Sequence, residues 1–533
     1  MLTLVLAAAA ALAPARAATS PALQKITAAE LSGHLRFLAD DLLEGRKPGQ
    51  RGSDLAIRYL ASELEAMGLQ PGWKGSFIQP VPLVELRAKL PPEIRFSNGV
   101  ALHAGRGVGS EMVIDPDAEV AVASVKDAPL VFAGYGIVAP EYGWDDYKDI
   151  DVKGKIVVLM NFNPPFAGEG VRLWYGRWDY KYQTAAAHGA AGAIIIHTTP
   201  SAGYPWQVLS NSAEGVRVAL PPEPGERRLQ FRGWITEDAA RQVAPKLDEL
   251  RAAAARKEFR PSPLGVTLSL ELPIEKRTIE SANVVGLLPG SDPKLKAEAV
   301  MFSAHHDHLG KVDPKPPATD GIYNGALDNA SGCADVLTLA HAATFAAPRR
   351  SMYFVFVTAE EQGLLGSKYF AQHPPIPAGR FAVDINIDSF NKFGKTTDLS
   401  VLGLGKSSVD AVVKQVAASQ GRTVHGDSHP DRGSFYRSDQ FEMAKVGVPP
   451  LYARGGPTFA GRPAGWGDQQ QLAYEQHDYH QPSDEYHGDW DLSGAVQDAQ
   501  LLLEVGLRIA NAPALPAWTP GDEFEAARKS AAR

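Results

Sequence analysis

The 533-residue chain carries 53 Lys and Arg against 61 Asp and Glu, a formal net charge of -8 at pH 7, with 44% hydrophobic and 21% charged residues. This describes a globular protein of more than one domain; no Lys/Arg block offsets the acidity, which argues against a nucleic-acid surface. Cys333 is the only cysteine, which excludes intrachain disulfides and cysteine-based metal sites.

Leu2 to Ala13 is an apolar run ending in Pro14, and Ala15-Arg16-Ala17 has the small-x-small form of a cleavage site. Residues 1–17 therefore read as an export signal, although no Lys or Arg precedes the run. The expected location is periplasmic or secreted. The run is shorter than the ~20 apolar residues of a membrane span, so no stable membrane insertion is expected.

From Thr27 the chain reads helical, with Leu31, Leu35, Leu38 and Leu42 at helical spacing. Gly45-Arg-Lys-Pro-Gly49 breaks the pattern; Ser53 is the expected cap of a second helix running to about Leu64. Short apolar runs between 80 and 125 fit strands. Residues 129–136 and 154–160 read as strands, 181–188 as a helix and 193–196 as another strand. His188 and His197 flank this unit and read as structural. Trp174-Tyr-Gly-Arg-Trp178 reads as core or interface packing rather than a substrate wall. Residues 237–257 read as one amphipathic helix and Pro261-Ser-Pro263 as a linker, with sheet character resuming near Asn283.

Chemistry concentrates between 299 and 388. Apolar runs of strand length lead into His305 and Asp307, into Glu360 and Glu361, and into Asp388. Continuous apolar runs suit strands buried on both faces of a parallel sheet, whose ligands bind beyond the carboxyl ends of the strands. His, Asp and Glu without Cys suit Zn²⁺, and less specifically Mn²⁺ or Co²⁺. A single catalytic zinc takes about three protein ligands. His305, Asp328, Glu361, Asp388 and His480 exceed that, which points to two zinc ions sharing a carboxylate and clamping a water and a carbonyl oxygen. Asp328, in the Gly-rich turn Gly325 to Gly332, is the best bridge. Asp307 is placed to hold the other nitrogen of His305. Of the adjacent glutamates, one can bind metal while the other moves protons. His306 points away by strand alternation and His308 lies past the strand end, so neither is counted as a ligand.

Ala304 to Asp307, Gly325 to Gly332, Glu360 to Ser367, Asn386 to Asp388 and Tyr479 to Asp484 together resemble, in order, the motifs of the M28 family of di-zinc metallopeptidases. The resemblance implies that one metal takes His305 and Asp388, the other Glu361 and His480, with Asp328 bridging. It makes Glu360 the general base, Asp307 the orienting carboxylate and Tyr479 an oxyanion-steadying group. Leu327 stands where many relatives have Asp. Arg437-Ser-Asp439 and Phe441 also resemble a family stretch near the substrate. Gly134 to Gly136, Asp151 to Val158 and Gly189 to Ile196 resemble the protease-associated (PA) domain often inserted in these peptidases. The expected organisation is a peptidase domain over 24–119 and 276–512, an inserted PA-like domain over 120–275 and a tail over 513–533. The expected fold is a mixed, mostly parallel α/β sheet of zinc-exopeptidase type with helices on both faces, plus a β-rich α/β insert. The implied activity is a zinc-dependent exopeptidase, foremost an aminopeptidase, with peptides as its substrates. The alternatives are a carboxypeptidase or glutaminyl cyclase of the same fold, or a non-catalytic receptor module.

Overall fold

Thr27 accepts a hydrogen bond from the Glu30 amide and caps α1, Ala28–Leu38, which buries Leu31, Leu35 and Leu38. In this computed structural model, residues 20–531 are described apart from 106, 108, 169–170, 213–214 and 315–319; the expected export signal at 1–17 lies outside them. Leu42 falls beyond the end of α1 and is 70% exposed, so it does not extend the buried stripe. The second helix, α2, Arg51–Ala66, starts after Gln50; Ser53 lies inside it, buried, and makes no cap.

Ten strands frame the site and the insert: β1 Ile78–Ala88, β2 Val122–Phe132, β3 Ile156–Met160, β4 Gly192–His197, β5 Phe231–Thr236, β6 Ser262–Leu288, β7 Ala299–His305, β8 Ser351–Val357, β9 Phe381–Asn386 and β10 Pro450–Gly455. All but β1 lie along one path of a 15-stranded sheet, in the order β10-β9-β7-β8-β6-β2-β3-β4-β5. β7 pairs parallel with β8 and β9, and β9 with β10. β2 to β5 form a second parallel set. The antiparallel strand β6 joins the two sets. Every residue of β7, β8 and β9 is buried, as their unbroken apolar runs require.

Helices cover both faces around β7. On one face α1, α2, α4 (Ser331–Ala343) and α5 (Ser493–Asn511) pack Leu31, Leu60, Leu337 and Leu502 against Phe302 and Phe354. On the other, Phe370 and Met443 pack against Met301 and Val355. The inserted set carries its own core of Phe132, Ile156, Ile194 and Phe231, while α3, Trp178–Ala187, packs Tyr182 and Ala185 into a second cluster with Val157 and Ile195. No helix among the described residues is long and apolar enough to cross a membrane.

Two further local expectations fail. The stretch 237–257 is two helices, Glu237–Val243 and Leu247–Ala254, separated around Pro245, which cannot continue a helix. Pro261 to Pro263 is no linker, because β6 is continuous from Ser262. Its prolines sit where a missing N–H is tolerated: Pro263 beside an irregularity in the pairing with β2, and Pro273 just before the pairing with β1 begins at Ile274. Trp174 packs between the two parts of the molecule, 5.7 Å from the Phe441 ring and 6.0 Å from Phe524.

Candidate metal centre

β7 ends at His305, β8 ends three residues before Glu360, and β9 ends two residues before Asp388. Because the three strands run parallel, these side chains meet at one sheet edge. Past β8 the chain turns through Ala359, in the left-handed region at φ 55, and the amides of Glu360 and Glu361 donate to the Asp307 carboxylate at 3.0 and 3.4 Å. That differs from the role expected of Asp307. Nδ1 of His305 faces the Asp307 backbone carbonyl at 3.2 Å, while the nearer carboxylate oxygen is 3.9 Å away. Asp307 thus fixes the imidazole through its main chain and the glutamate turn through its side chain.

The turn bearing Asp328 opens at Gly325, with φ 52; a Cβ there would lie 2.1 Å from Asp328 O and 2.6 Å from the His308 ring. Only glycine fits. The Asp328–Asn329 peptide is cis. Asn329 accepts from the amides of Gly332 and Ser389 and donates to Ile387 O, each at 2.9 Å, tying the turn to the Asp388 segment. Asp484 accepts from the amides of Leu327 and Asp328 at 3.0 and 3.1 Å. Leu327 itself is buried.

The sequence-selected donors come together. His305 Nε2 lies 3.3 Å from Asp328 Oδ1 and 3.5 Å from Asp388 Oδ1. His480 Nε2 lies 3.2 Å from both Asp328 Oδ2 and Glu361 Oε2. Neither Nε2 makes an aligned hydrogen bond. Zinc–nitrogen and zinc–oxygen bonds of about 2.0–2.2 Å place two ligands of a tetrahedral ion about 3.3–3.5 Å apart. The orphaned nitrogens and this spacing fit a cation better than a hydrogen-bonded cluster. His305, Glu360 and Asp388 form one group able to hold a metal ion; His308, Asp328 and Glu361 form another.

His308, set aside on sequence grounds, is therefore part of the cluster. It is fully buried, with Nδ1 2.7 Å from Glu361 Oε1 but off the line of a hydrogen bond. His306 does point away, to Ala282 O at 3.0 Å. Asp484 was visible only as the last residue of a motif. Tyr479 is 39% exposed and stacks on His480, with ring centroids 4.0 Å apart.

Crowding separates the carboxylates electrostatically. Burial pushes Glu360 well above the usual carboxylate range; His305 opposes this and the Glu361 charge adds to it. Burial and Asp328 push Glu361 upward too, but His308 and His480 overcome them and bring it to about 2. Burial disfavours the His480 cation, yet its contacts with Asp328 and Glu361 raise it to about 10. Burial, then Asp328 and Glu361, push the Tyr479 phenol up, so it stays a proton donor. A buried carboxylate with raised proton affinity beside one whose affinity is lowered is the pattern of an acid–base group next to a ligand.

Fold and donor set define an α/β protein with a carboxylate–imidazole centre built to bind cations. Residues 283–503 match the model of Peptidase family M28 and residues 125–222 that of the PA domain; these parts of the chain belong to those two families. A probable leucine aminopeptidase 2 from Aspergillus oryzae (strain ATCC 42149 / RIB 40) is 27% identical over 228 residues, 43% of this chain and 35% of that protein. The match thus spans about a third of the relative's length. The structure of an aminopeptidase from Aneurinibacillus sp. strain AM-1 superposes with a TM-score of 0.52 at 18% identity, covering 93% of this chain and 97% of that one. This establishes the shared fold. A zinc aminopeptidase from Bacillus subtilis aligns over 91% of this chain and 94% of its own at 18% identity, with a TM-score of 0.42.

Proposed function

We propose that the chain is a zinc-dependent aminopeptidase that removes N-terminal residues from peptides, with two ions in the centre. His305 and Asp388 hold one, Glu361 and His480 the other, and Asp328 is shared. The observation that carries this reading is the pair of orphaned imidazole nitrogens, each 3.2–3.5 Å from two carboxylate oxygens. Bound there, the ions supply Lewis acidity toward the scissile carbonyl and lower the pKa of water. Glu360, within reach of His305 and Asp388 but free of the second cluster, takes a proton from the attacking water and hands it to the leaving amine. Tyr479, protonated and half exposed beside His480, donates to the oxyanion. Asp307 holds both the His305 ring and the glutamate turn in register. The carboxylates gathered in the centre and the net acidity of the chain favour a substrate's free ammonium over a free carboxylate.

A panel of free aminoacyl anilides, their N-acetyl forms and N-blocked peptides with free carboxyl ends, assayed with and without chelator, tests this. The expected result is chelator-sensitive hydrolysis of the free anilides alone. Preference for N-blocked peptides with free carboxyl ends would replace the aminopeptidase reading with a carboxypeptidase.

A further inference from the structure

The Gly45-Arg-Lys-Pro-Gly49 stretch, legible in the sequence only as a helix break, places a fully buried cation behind the metal centre. Arg46 is 1% exposed. Its guanidinium donates from Nε to His306 O at 2.9 Å, from Nη1 to Leu38 O at 2.5 Å and Asn324 O at 2.6 Å, and from Nη2 to Gly325 O at 3.1 Å. All four acceptors are main-chain carbonyls. They come from three separated segments: the orphan carbonyl at the end of α1, the residue after His305, and the two residues that enter the Asp328 turn. The loop carrying Arg46 is pressed against the same region. A Cβ on Gly45 would lie 2.3 Å from Gly310 O and 2.6 Å from Tyr323 O. The bond from Asn324 Nδ2 to Asp41 Oδ1 at 2.8 Å fastens its rim, whereas the exposed pair Glu44–Lys311 at 2.7 Å adds little.

Burying a guanidinium costs several kcal/mol unless its hydrogen bonds are met. Here most of the fork's five donors are met, and by carbonyls rather than a carboxylate. The cation is therefore not half of an ion pair that could be swapped for an apolar pair. Its bonding specifies where three chain segments lie relative to one another. Two of them carry ligands of the proposed ions, His305 and Asp328. From the opposite side Asp484 takes the amides of Leu327 and Asp328, so the turn is gripped by its carbonyls at one end and its amides at the other.

We propose that Arg46 is a positioning residue that preassembles the metal centre, holding the His305 strand end and the Asp328 turn at ligand spacing before an ion arrives. The inference rests on the proposed two-ion site. A flexible Lys ammonium, with three donors from a single atom, cannot span the same acceptors.

The test compares the wild-type chain with Arg46→Lys, Arg46→Ala and the control Glu44→Gln, reading zinc stoichiometry, zinc affinity by chelator competition, and the rise in Tm when zinc is added to stripped protein. For Arg46→Lys the expected result is at least a 10-fold weaker zinc affinity and a smaller zinc-induced rise in Tm. Glu44→Gln should match wild type. Should Arg46→Ala fold poorly, Arg46→Lys keeps charge and stem in the same slot. In folded Arg46→Ala, whose slot is empty, millimolar guanidinium ion should recover zinc affinity where methylammonium does not, a rescue that general loss of packing does not give. Native zinc affinity in both Arg46 variants, or no selective rescue by guanidinium, overturns the proposal. If wild type itself binds no zinc, the two-ion reading fails instead, so the two failures are distinguishable.

Discussion

The two parallel strand sets of this molecule, β7 to β9 with β10 and β2 to β5, share one architecture and differ in what their strand ends do. In the inserted set most ends satisfy the neighbouring backbone; His197 Nε2, at the end of β4, lacks a hydrogen-bond partner but belongs to no cluster able to hold a metal ion among the described residues. Asn163, just past β3, donates to Pro164 O and Val171 O and accepts from the Leu173 amide. Thr198 and Thr236 cap the helices that come after β4 and β5. In the other set the ends are His305, Glu360, Glu361 and Asp388, and imidazole nitrogens are left without hydrogen-bond partners at ligand spacing. A sheet edge is thus only a place; chemistry appears where polar atoms exceed what the local backbone can absorb.

The largest effect that would break this contrast is at Glu360. Glu360→Gln keeps shape and removes the proton acceptor, so kcat should fall on the order of 10²–10⁴ with metal retained. Near-native turnover would mean that Glu360 is not the base. Next, Asp328→Ala should lower occupancy of both ions, whereas His480→Ala should weaken mainly one; elemental analysis showing two full equivalents in both variants would refute the shared ligand. In the insert, Asn163→Ala leaves buried backbone groups unpaired and should cost about 1–3 kcal/mol in denaturant unfolding, with zinc content unchanged. Lost zinc there would show that the two strand sets are not independent.

A smaller effect separates metal chemistry from ordinary burial. Burial, with the His341 charge adding, lowers His34 to about 4. Between pH 6.5 and 4 the unfolded chain binds a proton that the folded chain refuses. This part of the stability is therefore intact above pH 6.5 and declines as pH falls, by at most about 1.4 kcal/mol per unit. His34→Gln should flatten Tm between pH 6.5 and 5; an unchanged slope would show that other groups control that window.

What the sequence revealed came from strand physics. Continuous apolar runs ending on His or carboxylate marked His305, Glu360, Glu361 and Asp388, since parallel strands bring such ends together. His308 was set aside because it lies past the strand end; it is buried beside Glu361 all the same. The carboxylate of Asp307 was aimed at the wrong partner because spacing cannot tell a side-chain acceptor from the carbonyl of the same residue. Arg46 was invisible as a contact because its partners are backbone atoms far along the chain, which carry no residue signature. Pro261 and Pro263 suggested a linker, and only the pairing pattern of β6 shows why a strand tolerates them.

The 27-residue β6 also bears on how the insert can be removed. Residues Ser262 to Pro273 pair with β2, and Ile274 to Val284 pair with β1, so the seam between the two parts runs inside one ladder. Cutting at the matched PA bounds, 125–222, would remove most of β2 and leave Ser262 to Pro273 as a raw main-chain edge, an invitation to intermolecular pairing. A minimal catalytic fragment should therefore be sticky unless the new edge is trimmed back to Ile274 or charged.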